Sequence, residues 1–157
     1  MVMKKYLPFS LDFVPVDVLR SANPLTLSFV GDGVHTLFIR AAVMERNPYK
    51  NNVLHELASS FVCASSQSED AKKMFPLLSE EERFIFNKGK NAKINTVPKH
   101  AGIYRYQLAT AFEAVTGYLY LSGQNDRLAE LYEAIYSDRF SEFNVSGTEN
   151  KEKDEEV

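Results

Sequence analysis

"NPLTLSFVGDGVHTLFIRAAVMER", residues 23–46, decides how the rest of the chain is read. Asn23 is a good N-cap and Pro24 suits the first helical position, so a helix is expected from Pro24 to Arg46, stopping before "NPYK". Leu27, Val30, Val34, Leu37, Phe38 and Ala41 recur at core spacing, yet the opposite face, with Leu25, Phe29, Ile39 and Val43 around Ser28, Asp32, His35 and Thr36, is mostly apolar as well. A helix that is apolar all round is covered on both sides, either because it is central or because its second face meets another subunit. In its middle stands Gly31-Asp32-Gly33. Each glycine weakens a helix interior by ~1 kcal/mol relative to alanine, and a lone buried carboxylate costs several more. The glycines are therefore expected to let another backbone, a metal or a substrate come close.

Turn signals divide the remainder into further helices, with no convincing alternating strand. A second helix opens at Asn51 or Asn52 in "NVLHELASSFVCASS", a third covers "SEDAKKMFPLL", and a capping box from Ser79 to Glu82 starts a fourth that ends at Gly89. The fifth runs from Ile103 to Ser122 and is closed by Gly123; a sixth runs from Asp126 to about Tyr136. Cys63, the single cysteine, leaves no intramolecular disulfide and no cysteine-cluster zinc site, and reads as a small core residue. The expected fold is all-α, with about six or seven helices. Residues 1–22 are expected to form a lead-in, 23–137 the folded domain, and 138–157 an acidic, solvated tail without fixed structure.

The fifth helix repeats the pattern of the first: in "IYRYQLATAFEAVTGYLYLS" the only charges are Arg105 and Glu113, and Ala109, Thr110, Thr116 and Gly117 around Glu113 leave room for a neighbouring helix. Two lone carboxylates on two apolar helices repel each other unless a positive charge lies between them, and neither helix carries a lysine or arginine at the right pitch. A hard divalent cation with oxygen ligands and retained waters answers this best, which points to Mg²⁺, with Mn²⁺ as a substitute.

The net charge of −3 is unevenly spread: residues 141–157 carry six acidic and two basic residues, and the other 140 carry about +1. From Arg83 to Phe112 there are six basic residues and no Asp or Glu. Lys88, Lys90, Lys93 and Lys99 cluster in "KGKNAKINTVPKH", a grouping suited to a phosphate backbone, with Asn91, Asn95 and Thr96 placed to add sugar contacts. Metal-binding carboxylates beside a phosphate-binding loop suggest a metal-dependent phosphodiesterase. The opening "MVMKKYLPFSLDFVPVD" has neither an unbroken apolar core nor a small-residue cleavage site, so a cytoplasmic protein that does not enter a membrane is expected.

Four ordered motifs carry a family resemblance. "NPLTLSFVGDGV" resembles the signature helix of ribonuclease III domains, "KGKNAK" resembles the Arg-Gly-Arg-Asn-Ala-Lys segment of the Mini-ribonuclease III family, "YRYQLATAFEAVTGYLYLSG" is similar to that family's second catalytic helix, and "VLHELASSFVCASSQ" to its Leu-His and Ser-Ala-x-x-Gln stretch. The resemblance spans about Asn23 to Tyr136. It implies a homodimeric all-α endoribonuclease without a separate double-stranded-RNA-binding domain, trimming the 23S ribosomal RNA precursor, with a ribosomal protein on that precursor as a further partner. Asp32 and Glu113 match the metal-binding, catalytic carboxylates. Ser28 and Thr110 stand where full-length ribonucleases III have further acids, as in the Mini-ribonucleases. Lys88, Lys90, Asn91, Lys93, Lys99 and, more weakly, Arg105 are the expected RNA contacts. His35 is expected to be a packed core residue. No side chain stands out as a general base, so the metal is expected to activate the attacking water, giving 5′-phosphate and 3′-hydroxyl ends. The competing reading is a non-catalytic RNA-binding ribosome-assembly factor of the same fold. Adjacent His-Asp pairs, Glu-x-x-His and P-loop patterns are absent from the sequence.

Overall fold

The computed structural model describes residues 13–46, 50–93 and 102–149. Among them are seven α-helices and no strand: α1 (Val16–Ser21), α2 (Pro24–Arg46), α3 (Asn51–Val62), α4 (Ala64–Met74), α5 (Glu80–Lys90), α6 (Ile103–Leu121) and α7 (Asn125–Glu149), with a 3₁₀ turn at Phe75–Leu77. The expected all-α architecture stands. Helix α2 has the expected bounds, and the Asn23 side chain accepts the Leu25 N–H at 3.0 Å. The Ser79 capping box is complete, Ser79 Oγ accepting the Glu82 N–H and Glu82 Oε2 the Ser79 N–H.

Three local readings are corrected. Helix α1 goes beyond the expected set; it is six residues long and buries only Leu19, too short a stripe to register as periodicity. The break between α3 and α4 falls at Cys63, an exposed free thiol at the N-cap of α4 and not a core residue. Helix α7 continues past Tyr136 to Glu149, because Phe140 extends its buried face, 2% exposed and stacked 5.5 Å from Phe61.

The two most apolar helices form the centre of the domain. Helix α6 buries eleven residues from Leu108 to Leu119, with α2, α4 and α5 packed around it. Gly31 and Gly117 make the α2–α6 crossing a contact of backbones: a Cβ on Gly31 would overlap the Glu113 carbonyl oxygen, and one on Gly117 would overlap the Leu27 carbonyl oxygen. Gly33, by contrast, has open space where its Cβ would be.

Helix α2 is long and apolar enough to cross a membrane by composition alone, but half of that window is buried inside this fold. One stripe of it stays uncovered. Phe29 is 81% exposed, Leu37 50% and Met44 60%, roughly two turns apart on the side away from α6. Helix α6 ends in a Schellman motif, with Gly123 at φ 75°, its N–H on the Tyr120 carbonyl and the Gln124 N–H on that of Leu119. Helix α7 is anchored to α5 by Arg127, whose Nε and Nη2 donate to Glu82 Oε1 and Oε2 at 2.9 and 3.0 Å.

Candidate active site

The glycine crossing brings the two carboxylates into one another's field. Because Gly31 lies against the Glu113 backbone, its neighbour Asp32 falls beside the Glu113 side chain, near enough for its charge to act on Glu113. Their settings differ, which corrects the expectation of two buried acids: Asp32 is exposed and Glu113 half-buried. Burial pushes the Glu113 carboxyl up to about 7, while the Ser28 hydrogen bond opposes the rise, the Asp32 charge adds to it, and the nearby Gln67 amide opposes it slightly. Ser28, one turn before Asp32, donates its hydroxyl to Glu113 Oε2 at 2.5 Å. A serine thus occupies the position of a further acid and serves as a donor to the acid that remains.

Buried Gln67 on α4 has its amide near the same carboxylate, with Nε2 outside close hydrogen-bond distance of any partner. Sequence reasoning missed Gln67 as a site residue. The available signal was its place one turn before Ala71 and two before Met74, an amide on an otherwise apolar stripe.

Among the described residues no lysine or arginine pairs with Asp32 or Glu113, and no three His, Cys, Asp or Glu side chains converge. The donor set consists of oxygen-bearing groups: two carboxylates, a hydroxyl and an amide. It fits a hard cation that keeps several waters. His35 takes no part. It is fully buried, with Nδ1 2.9 Å from the Tyr132 hydroxyl, and burial lowers its pKa to about 3, so it stays neutral.

The basic residues divide. Lys88 is half-buried, donating to the carbonyls of Arg20 at 2.6 Å and Ala22 at 3.1 Å at the end of α1 while lining the cleft between α2 and α5. Its ammonium closes that helix and keeps a third donor. Lys90 lies 5.7 Å from the Tyr104 ring centroid. Asn91, Lys93 and Arg105 are exposed. Lys99, with Asn95 and Thr96, lies outside the described residues. An open cleft of about 570 Å³ separates the start of α2 from the end of α5, with Asn23, Leu25, Asn87, Asn91 and Lys93 on its walls. Leu25, in the cleft wall, Ser28 and Asp32 follow one another along one face of α2, so Asp32 stands about two turns beyond the cleft on the same face.

Comparison with known proteins agrees with this arrangement. Residues 25–124 match the ribonuclease III domain model. The Mini-ribonuclease 3 of Thermoanaerobacter sp. (strain X514) is 42% identical over 113 residues, covering 72% of this chain and 80% of that protein. That of Clostridium tetani is 39% identical over 134 residues, covering 85% and 87%. A crystal structure of a Fusobacterium nucleatum protein, 29% identical, superposes with a TM-score of 0.71 over 77% of this chain and 97% of the other. The matched region begins one residue into α2 and ends just past the glycine that closes α6, so it contains both carboxylates and the crossing that joins them. The chain belongs to the ribonuclease III domain family, among the Mini-ribonucleases 3.

Proposed function

We propose that the protein is a metal-dependent endoribonuclease that cuts double-stranded RNA at Asp32 and Glu113. The observation that carries this reading is the pairing of an exposed and a half-buried carboxylate with no protein cation between them, the exposed one on α2, the helix whose first turn walls a cleft of amides and lysines. A Mg²⁺ or Mn²⁺ ion bound there supplies Lewis acidity at the scissile phosphate and lowers the pKa of a coordinated water. Asp32 and Glu113 hold that ion. Ser28 fixes the Glu113 carboxylate by its hydroxyl, and the free Nε2 of Gln67 is available to a water or a phosphate oxygen at the same place. Lys88, Lys90, Asn91 and Lys93, with Lys99, hold the duplex backbone, and Arg105 adds charge at its edge. In-line attack by water leaves 5′-phosphate and 3′-hydroxyl ends. By the family relationship the natural substrate is the 23S ribosomal RNA precursor, processed in the cytoplasm.

The test is incubation of end-labelled RNA with the purified protein, read on a denaturing gel. Duplex RNA is cut with Mg²⁺ and stays whole with EDTA, and single-stranded RNA of the same sequence stays whole throughout. If a duplex is shifted into a complex but left uncut, in Mn²⁺ and with precursor ribosomal RNA too, the protein is a binding factor.

The same reading makes the active unit a dimer about a two-fold axis, so that two sites face the two strands of one duplex. The uncovered stripe of Phe29, Leu37 and Met44 is the proposed seam. Phe29→Asp places a charge in that apolar contact and is expected to give a monomer in analytical ultracentrifugation at concentrations where the unmodified protein is a dimer. An unchanged sedimentation coefficient would place the seam elsewhere.

A further inference from the structure

A second groove, of about 280 Å³, lies between the end of α4, the end of α5 and the start of α6. Its floor is apolar: Phe86 and Leu108 are 2% and 4% exposed, and the Phe75 ring, 5.1 Å from that of Phe86, forms one lip. Tyr104 forms the other lip and is 57% exposed, although nothing in the fold requires a large aromatic side chain to face water in the first turn of α6. Lys90 stands 5.7 Å from the Tyr104 ring centroid, and Lys72, held by Glu69 at 2.7 Å, marks the far rim. No carboxylate is among the lining residues.

This chemistry is wrong for the outside of a duplex, where an aromatic lip would meet phosphates and sugar hydroxyls. It suits an unstacked base, which presents a flat apolar face to a ring and carries its own phosphate to the nearby ammonium groups. The groove is about the smallest that encloses a compact ligand and has room for one nucleoside, not a run of them. It shares α4 and α6 with the candidate active site. Tyr104 precedes Glu113 by nine residues on α6, roughly 13 Å along the axis and two and a half turns, so the two leave the helix on opposite faces. Ala71, in the groove wall, is one turn from Gln67 on α4.

We infer that this groove takes one unpaired nucleotide of the RNA, its base stacked on Tyr104 and its phosphate beside Lys90, so that the enzyme distinguishes duplexes with a bulge from perfectly paired ones. The inference rests on the RNA-cleaving reading above and adds a specificity site to it. Tyr104 is outside the catalytic machinery, and its exposure makes it replaceable without disturbing the core.

The test uses the full chain in Ca²⁺ and a set of RNA duplexes carrying a single bulged 2-aminopurine, moved one position at a time, with the perfectly paired duplex as reference. Anisotropy gives Kd and 2-aminopurine emission reports stacking. At one bulge position the unmodified protein binds about 10-fold tighter than to the paired duplex and quenches the emission, the preference expected of one base stacked on an aromatic ring. Tyr104→Leu loses the preference and the quenching while keeping its affinity for the paired duplex, and Tyr104→Phe keeps both. Equal Kd values at every bulge position, or a preference that survives Tyr104→Leu, overturns the inference and leaves the duplex reading intact. If neither the paired nor any bulged duplex binds, the RNA reading fails and the inference with it.

Discussion

Gly31→Ala is expected to abolish the cooperative fold. The added methyl would sit on the Glu113 carbonyl oxygen, and also within 2.9 Å of the Gly117 amide nitrogen. Both belong to helix backbone, which cannot step aside as a side chain does, so α2 and α6 would have to separate along their contact. Overpacking that flexible neighbours absorb costs ~1–3 kcal/mol, and this case should exceed that range, an amount comparable to the whole stability of a marginal domain. Gly33→Ala is the control. It adds the same methyl to the same helix two residues away, where no atom lies within 4 Å, and gains from lower backbone entropy by roughly 0.5–1 kcal/mol. Thermal melts followed by circular dichroism should therefore show no cooperative transition for Gly31→Ala and an unchanged or raised midpoint for Gly33→Ala. If the two variants melt together, the helix crossing described above is wrong.

The second large effect is a trade between chemistry and stability at Glu113. Glu113→Gln keeps the shape and the Ser28 hydrogen bond but removes the charge, and is expected to lower the rate of duplex cleavage by at least about 10³-fold, corresponding to several kcal/mol of lost metal-assisted stabilisation. The same variant should be more stable. Burial pushes the folded carboxyl up to about 7, above the ordinary carboxylate value of 4.5. Between these values the folded state holds a proton that the unfolded state has released, so stability falls as pH rises through this window and the loss is complete above it. Discounted for the partial exposure of the group, the loss is roughly 1–2 kcal/mol, so in EDTA at about pH 8 Glu113→Gln should melt roughly 4 °C higher than the unmodified protein. Near pH 4, where both states are protonated, the difference should vanish. A variant that cuts like the unmodified protein would remove Glu113 from the chemistry and favour the binding-factor reading; a variant that melts lower at alkaline pH would contradict the burial of the carboxylate.

Much of this architecture is legible in the sequence because its signals are local. Asn23 and Pro24 open α2, Ser79 and Glu82 open α5, and Gly123 closes α6 by backbone rules that need no tertiary information. What required the structure depends on what packs against what. Asp32 reads as buried because its helix is apolar, but at that point α2 turns the residue outward and only its glycine neighbour inward. Lys88 reads as part of a basic loop, yet its side chain reaches back to the end of a six-residue helix distant in sequence. Gln67 stands in the Ser-Ala-x-x-Gln resemblance and on an apolar stripe, but its part at the site shows only when its helix is laid against α6. The extension of α7 past Tyr136 is signalled by Phe140, one turn further along the stripe of Tyr132 and Tyr136, but the ring that covers it, Phe61, shows only across the fold.

The Gly31–Gly117 crossing has a consequence for how this protein can change over generations. Wherever side chains separate two helices, each substitution in the core resets the gap between them, and anything mounted on those helices drifts with it. Here the spacer is the main chain itself, which no substitution alters except at the two glycines. The surrounding aliphatic and aromatic residues are thus free to be exchanged for others of similar bulk while the two acidic groups keep their separation. The rest of the sequence can wander while the two points that set the ruler stay fixed.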